Sequence, residues 1–528
     1  MEEKLLELIQ KIAEVKGDSN AEVELENKIA FETGKMEGLS LTEKESIVNT
    51  IAAKLGGELY TNIFFAFWSW IVTEQNSYLM KQVKELINSS NITWQEKYYL
   101  ADQINFDMFN NIHLRTPELE ELVVELHHMA IHEGKQLVDV PASIGAVEQN
   151  AKNKDLVIIL TSQFLSMNHG PTKTALDRAY ILQKYYGKKV FLINTAEMRG
   201  MAGEMPVYPV RVGSYMPHWN EVEEITYQGE KIAFFQCYMD MPNIEDTRAL
   251  VQTIWKLNPA MCLNIGGGSL VAACVNEFLP TAIIATVPSG IPFPECDIIC
   301  IGHAPTSVEE TTLKNYGIKK ENVIVGRFTS SFKPKQHTYV RKDFGLPEDK
   351  FLYLIMYDTN STMARKNPVG ALDAYKKAFS VEDEHVGLVI KMNNPKQEDL
   401  EVLREQTKGY QNVYLIAEVL DKPKVNSLIA AVDVFVSLHR AEGFGLVMAE
   451  AMLLDTVCVA TNWSSNTEFM DADSACMVSF QKVEIQETSG NYKKGCRWAE
   501  PDVEEAAGYM RRLYEDPAYY DRLAKNGK

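Results

Sequence analysis

From Met1 to about Lys135, apolar positions recur at helical spacing, with Leu5, Leu6, Ile9 and Ile12 at the start and Leu122, Val123, Leu126 and Met129 near the end. This is the periodicity of helices with one buried face. No continuous β-branched run interrupts it. The aromatic stretch from Ile63 to Val72 predicts one side of a helix continuing to Ile87. Residues 1–135 therefore read as a helical domain of their own, for packing, oligomerisation or partner binding.

Past Val138 the texture changes to short apolar runs alternating with amphipathic stretches, the pattern of βαβ units around a parallel sheet. The first series comprises Leu156–Leu160, Lys189–Ile193, Ala260–Ile265, Thr281–Val287 and Cys296–Ile301, with helices expected over Thr172–Tyr186 and Ser307–Tyr316. A second series comprises Phe351–Tyr357, Val386–Met392, Asn412–Ile416, Val434–Leu438 and Val457–Thr461. Between them, Phe328 to Arg341 is rich in Ser, Thr, Lys and Pro and reads as a connection. The expected fold is α/β, with Rossmann-like doubly wound domains at 136–335 and 336–528 behind the helical segment. Two such domains facing each other leave a cleft at the carboxyl ends of their strands, where open α/β sheets bind ligands.

Composition narrows the function. The 528 residues are 46% hydrophobic and 24% charged, ordinary values for folded protein, so a core is expected throughout. The net charge of -19 argues against a broad nucleic-acid footprint and leaves room for one small basic pocket. All eight cysteines lie from Cys237 onward, mostly in apolar runs, and read as reduced core residues; Cys296 and Cys300 lack the second ligand pair of a zinc site. His127, His128 and His132 share a helical stretch, but without further ligands they read as surface or interface histidines. The start lacks a basic n-region and apolar h-region, and Ile63–Val72 is shorter than the ~20 apolar residues of a membrane span. The expected location is the cytoplasm, with peripheral contact at the inner face of the membrane left open.

The richest stretch for chemistry is SLHRAEGFGLVMAEAM, Ser437 to Met452. A strand ends at Leu438, Glu442 follows, Gly443 and Gly445 permit a tight turn, and a helix begins that carries Glu450. Backbone N–H groups at a helix start can receive diphosphate oxygens, which the helix dipole also favours. Glu442 can accept hydrogen bonds from sugar hydroxyls beyond the phosphates, and Glu450 can bind a ribose diol.

Glu442 and Glu450 reproduce the Glu-x7-Glu motif of the retaining GT-B glycosyltransferases of family 4, which the chain resembles. Ala431 and Asp433 fit the pattern before the motif, ATNWSSNTEFM the segment after it, and Met356–Phe379 the first strand, basic loop and helix of the family's donor domain. The resemblance is strong over Val323–Met470, recognisable from Leu156, and absent from residues 1–135. It implies that Lys366 matches the phosphate-binding lysine, with Arg365 beside it, and that Gly443, Phe444, Gly445, Leu446, Val447 and Glu450 bind the donor. Two departures stand out. Tyr357, Asp358 and Thr359 occupy the place of an arginine that many members carry, and Val287–Gly290 lack the histidine some relatives place after the fifth strand.

On the acceptor side, NHGPTK (Asn168–Lys173) follows the first strand, which makes His169, Gly170 and Thr172 candidates; Gly266–Gly268 mark a close backbone approach. The resemblance implies front-face substitution from a nucleotide-sugar donor to a glycan, lipid-linked glycan or protein acceptor, in surface glycan synthesis or protein glycosylation. It implies no cofactor, no metal and no nucleic acid, and the helical domain is a candidate for homo-oligomer formation. Family members usually finish with a helix returning to the first domain, whereas this sequence stops shortly after an expected helix at Val503–Tyr514. A nucleotide-sugar-binding accessory subunit without turnover is the alternative. A sugar phosphorylase would need a phosphate site where Glu450 is placed for ribose.

Overall fold

A computed structural model describes the chain apart from residues 37, 111–113, 168, 198–214, 238–239, 287–290, 327–337, 360–361, 444, 487–488, 490–491, 493–496 and 528, and apart from the side chains of 19, 106, 109 and 110. The connection expected at Phe328–Arg341 falls mostly outside the described residues, as do Val287–Gly290. The chain divides into two compact units, Met1–Phe328 and Thr329–Lys528.

Unit one opens with nine helices among the described residues: α1 (Glu2–Ile9), α2 (Ile12–Val15), α3 (Ser19–Gly34), α4 (Leu41–Lys54), α5 (Leu59–Thr73), α6 (Ser77–Ile87), α7 (Trp94–Asn110), α8 (Pro117–Val138) and α9 (Val140–Gly145). The single helix expected from Ile63 to Ile87 is instead two. Glu74 adopts a left-handed φ of 58° and stops α5, after which α6 starts afresh at Ser77. α5 is buried almost all round between Ile63 and Trp70, so its apolar run reflects a core position. Thr116 accepts the Leu119 amide at 3.3 Å and Pro117 takes the first helical position, which fixes where α8 begins.

The first sheet is built from β1 (Asn153–Thr161), β2 (Lys189–Asn194), β3 (Glu224–Tyr227), β4 (Glu230–Gln236), β5 (Pro259–Ile265), β6 (Thr281–Ile284), β7 (Ile298–Ile301) and β8 (Val323–Val325). Their order is β3-β4-β2-β1-β5-β6-β7-β8, parallel except for the antiparallel pair β3–β4. Helices α10 (Gly170–Tyr186), α11 (Ile244–Leu257), α12 (Leu270–Val275) and α13 (Ser307–Asn315) connect the strands. The strand order turns back between β1 and β5, the point where a doubly wound sheet opens for ligands.

The helical segment, expected as a domain of its own, shares one hydrophobic core with this sheet. That core runs from Leu5 and Trp70 through Leu126 and Ile131 to Ile158, Leu160, Leu270 and Ile299. A close crossing joins the two parts: a Cβ at Gly134 of α8 would stand 3.1 Å from Leu270 Cδ1 and 3.2 Å from Trp94 Cε3. Each fully buried Leu or Ile here contributes about 1.5–3 kcal/mol through lost apolar exposure.

Unit two holds β9 (Phe351–Asp358), α14 (Met363–Lys366), α15 (Pro368–Ala378), β10 (Val386–Asn393), α16 (Gln397–Gln406), β11 (Val413–Ile416), α17 (Lys422–Ala430), β12 (Val434–Ser437), α18 (Leu446–Leu453), β13 (Val457–Thr461) and β14 (Cys476–Val478). The sheet is wholly parallel in the order β11-β10-β9-β12-β13-β14, so the side on which successive strands are added switches between β9 and β12. An antiparallel ribbon, β15 (Phe480–Glu484) with β16 (Arg497–Pro501), follows, then α19 (Val503–Glu515) and α20 (Pro517–Asn526). α20 was not foreseen. Its Tyr520 hydroxyl donates to the Asp433 carbonyl of the same unit at 3.1 Å.

Seven cysteines are free, six of them buried and Cys300 half-buried; Cys496 lies outside the described residues. No helix among the described residues is long and apolar enough to cross a membrane.

Candidate functional site

The switch point of the second sheet gathers the charged candidates. β9 delivers the chain to Thr362, whose hydroxyl accepts the Arg365 amide at 3.3 Å and starts the one-turn helix α14. β12 delivers it to the loop that carries Glu442. Three side chains stitch these segments together. Asn367 Nδ2 donates to the Leu438 carbonyl at 3.0 Å, Arg365 Nε to the Ala441 carbonyl at 3.0 Å, and Arg440 Nη1 to the Ala364 carbonyl at 2.9 Å. Asn367 also takes a left-handed φ of 52° and accepts the Gly370 amide, so it ends α14 and opens α15.

At the centre, Lys366 Nζ donates to Glu442 Oε2, and Arg365 Nη2 stands 3.6 Å from Glu442 Oε1. Burial works to raise the Glu442 carboxyl, but Lys366 and Arg365 outweigh it and hold the group below the usual carboxylate range. It also accepts the Gly443 amide at 2.9 Å, and Ser464 donates to the Glu442 carbonyl. Beside the pair lies a cavity of about 190 Å³ lined by Lys366, Glu442, Gly445, Leu446, Val447 and residues of β9 and β12.

α18 opens onto that cavity. Gly445 precedes it at a φ of 87°, a conformation glycine adopts without strain, and no side chain caps the first amides. Uncapped amides with the positive end of the helix dipole favour an anion. Glu450, one turn in, is buried and pairs with Lys422 Nζ at 2.5 Å; it does not line the cavity with Glu442. Phe444 lies outside the described residues.

Sequence reasoning missed the second rank of this site. His439 is buried, with Nδ1 3.0 Å from Ser437 Oγ and Nε2 3.0 Å from the Trp463 carbonyl; burial pushes its pKa down, so the neutral ring donates through Nε2 and accepts at Nδ1. Arg440 grips Glu500 of β16 with two bonds of 2.6 and 2.8 Å, lies 5.1 Å over the Trp498 ring, and donates its backbone N–H to the Arg365 carbonyl at 2.8 Å. The ribbon thus braces the loop that presents Lys366 and Glu442. An Arg440→Met substitution is expected to destabilise unit two by about 2 kcal/mol, because it strands the Ala364 carbonyl and the Glu500 carboxylate. Urea unfolding followed through Trp463 and Trp498 fluorescence checks this.

In unit one, His169 precedes α10 and Gly170 begins it. The Thr172 hydroxyl, fully buried, accepts the Leu165 amide at 3.0 Å and lies 3.0 Å from His169 Nδ1; burial holds the His169 pKa down. Asn168 falls outside the described residues. Across the same switch point, Gly266, Gly267 and Gly268 all have positive φ, and a Cβ at Gly267 would meet Pro292 Cβ at 2.8 Å. Behind them, Glu197 is fully buried and accepts the Leu270 amide at 2.7 Å and the Thr195 hydroxyl at 2.7 Å. Both amide atoms of the buried Asn264 have no hydrogen-bond partner among the described residues. Neither residue belongs to a local motif that could have revealed it.

Of the three histidines on α8, His127 is buried, with Nδ1 3.1 Å from Glu295 Oε1 and its ring stacked on Phe293 at 3.9 Å; His128 Nδ1 lies 3.5 Å from Glu295 Oε2. No group of three His, Cys, Asp or Glu among the described residues could hold a metal ion.

Residues 340–528 match the family described as glycosyl transferases group 1. No curated protein matches the chain. Among solved structures, a glycosyltransferase from Rickettsia africae is similar at 10% identity and a TM-score of 0.48, over 71% of this chain and 92% of that one. HepE from Anabaena, solved with UDP and glucose, gives 13% and 0.41 over 70% and 93%. The sucrose-phosphate synthase of Thermosynechococcus elongatus gives 13% and 0.43 over 71% and 93%.

Proposed function

We propose, from a second unit that matches glycosyl transferases group 1 over residues 340–528, that this chain is a retaining glycosyltransferase which moves a sugar from a nucleotide-diphosphate sugar to a hydroxyl acceptor in surface glycan synthesis or protein glycosylation. The observation that carries the reading is the Lys366–Glu442–Arg365 cluster, set at the switch point of a doubly wound sheet beside the uncapped start of α18.

The donor's diphosphate lies against the α18 amides and Lys366. As it arrives, Lys366 turns from Glu442 to the phosphate oxygens, which frees the carboxylate to accept hydrogen bonds from the sugar hydroxyls. The bond from the anomeric carbon to the diphosphate then breaks with its electron pair going to oxygen. Lys366, Arg365 and the amides stabilise the charge that develops there. The acceptor oxygen bonds to the anomeric carbon on the face the diphosphate leaves, and its proton passes to a diphosphate oxygen. No protein nucleophile takes part and no step is routed through a metal. Acceptor contacts are assigned to the first sheet's switch point, where His169, Gly170 and Gly266–Gly268 stand. Glu450 is assigned to the ribose diol, with Lys422 paired to its carboxylate. The same reading places the protein in the cytoplasm, in peripheral contact with the inner face of the membrane where the acceptor is lipid-linked.

The test is release of nucleotide from a panel of UDP-, GDP- and dTDP-sugars by the purified chain. Slow release from one donor, lost in Glu442→Ala, supports the reading, and an α- or β-configured product matching the donor establishes retention. Calorimetric binding of a nucleotide sugar with no release even when acceptors are added favours the accessory subunit instead. Absence of binding to every member of the panel overturns both.

A further inference from the structure

A cavity lies far in sequence from the site above, within the helical segment. Its volume is about 530 Å³. Three helix faces build it. α5 contributes Phe64, Phe67, Trp68 and Ile71, spaced as one helical stripe; α3 contributes Glu26 and Thr33 among its lining residues, and α7 contributes Gln103 and Asp107, one turn apart. Trp68 Nε1 donates to Thr33 Oγ1 at 2.9 Å, which fixes the indole, and Ile71 is 43% exposed, so the cavity opens to solvent.

The polar groups inside it are nearly all acceptors. Gln103 is 3% exposed; its Nε2 donates to Asp107 Oδ2 at 2.5 Å, and its Oε1 has no partner among the described residues. The Glu26 carboxyl has no hydrogen bond or ion pair among them either, and burial first, then Glu22, push it up to about 7. Glu22 on its own helix is the charge that acts on it; Asp107 from α7 and Lys44 from α4 line the same cavity, and α5 brings no charged group. A buried acceptor without a donor is unfavourable, so a donor-bearing occupant is favoured.

We propose that this cavity is a binding site for an organic ammonium ion with an apolar body, the rings of Phe64, Phe67 and Trp68 enclosing the body while Glu26, Asp107 and Gln103 Oε1 receive the charged N–H groups. Aromatic rings present negative faces to cations, and carboxylates complete such a site. The apolar lining is unsuited to a bare metal ion. Lys44, the one basic residue of the lining, opposes the ligand.

Calorimetry on the full chain with 2-phenylethylammonium, the neutral 3-phenylpropan-1-ol and the anionic 3-phenylpropanoate tests this independently of any glycosyl transfer. The ammonium ion is expected to bind at pH 8 and roughly tenfold more weakly at pH 6, because Glu26 is ionised above its raised pKa and neutral below it. Protons are released on binding near pH 7. Glu26→Gln removes the pH dependence, Gln103→Leu weakens binding at both pH values, and Lys44→Gln tightens it, with circular dichroism confirming that each variant folds. No ammonium binding at pH 8 overturns the proposal. So does equal or tighter binding of the alcohol or the carboxylate, or a pH dependence that survives Glu26→Gln.

Discussion

Lys366→Ala is expected to lower turnover of the donor sugar by about 10²–10³-fold, the loss seen when one preorganised donor to a developing oxyanion is removed. The effect is expected in kcat rather than in folding. Asn367, Arg365 and Arg440 each hold α14 to the Glu442 loop through backbone carbonyls, and none of those bonds involves Lys366. Glu442 keeps Arg365 at 3.6 Å but loses its nearer cation. With burial less opposed, its pKa rises. Sugar contacts that need the carboxylate then fail at a higher pH, and the acid limb of the kcat profile moves up in the variant. Single-turnover rates between pH 5 and 8, with thermal melts alongside, separate the two effects. A collapse of the melt with unchanged kcat would mean that the pair is structural.

The contact between α8 and the first sheet should be strongest in a window of mildly acid pH. Burial opposes the Glu295 charge, yet His127 and His128 hold its carboxyl at about 2, below an ordinary value of 4.5. That stabilisation is present above 4.5 and is lost as the pH falls toward 2, amounting to about 3 kcal/mol. His128 works the other way. The hydrogen bond to Glu295 raises its pKa from 6.5, so its contribution is complete below 6.5 and disappears as the pH climbs through the raised value. Amide exchange along α8 should therefore be slowest between about pH 4.5 and 6.5, after correction for intrinsic rates, and Glu295→Gln should flatten the profile.

What could be read from sequence follows from how each element is buried. β5 and β9 write apolar runs and were legible to within one residue, and β1 was legible over its buried part, its exposed start at Asn153–Asp155 lying outside the expected Leu156–Leu160. β3 and β4 were not. β4, next to the edge strand β3, alternates buried and exposed positions, and its only local mark is Gln228-Gly229, both at positive φ, the two-residue turn that links antiparallel strands. The α5–α6 break does carry a local mark, the polar run Thr73–Ser77 around the left-handed Glu74, but the apolar periodicity on either side reads as one helix across it. Lys366 and Glu442 could be found because each sits in a local pattern of strand, turn and helix. The Arg440–Glu500 grip joins residues 60 apart, and the Glu197 and Asn264 positions depend on which strands become neighbours, which no local spacing encodes.

The shared core of the first unit also limits how such a chain can be rearranged by recombination. A crossover after α9 would pass on the sheet without its helices and leave Leu270 and the α12 surface around it facing water, while the departing helices would lose the partner of Gly134. The helical segment and the first sheet are therefore inherited together or not at all, and a lineage that altered one would have to alter the other in step.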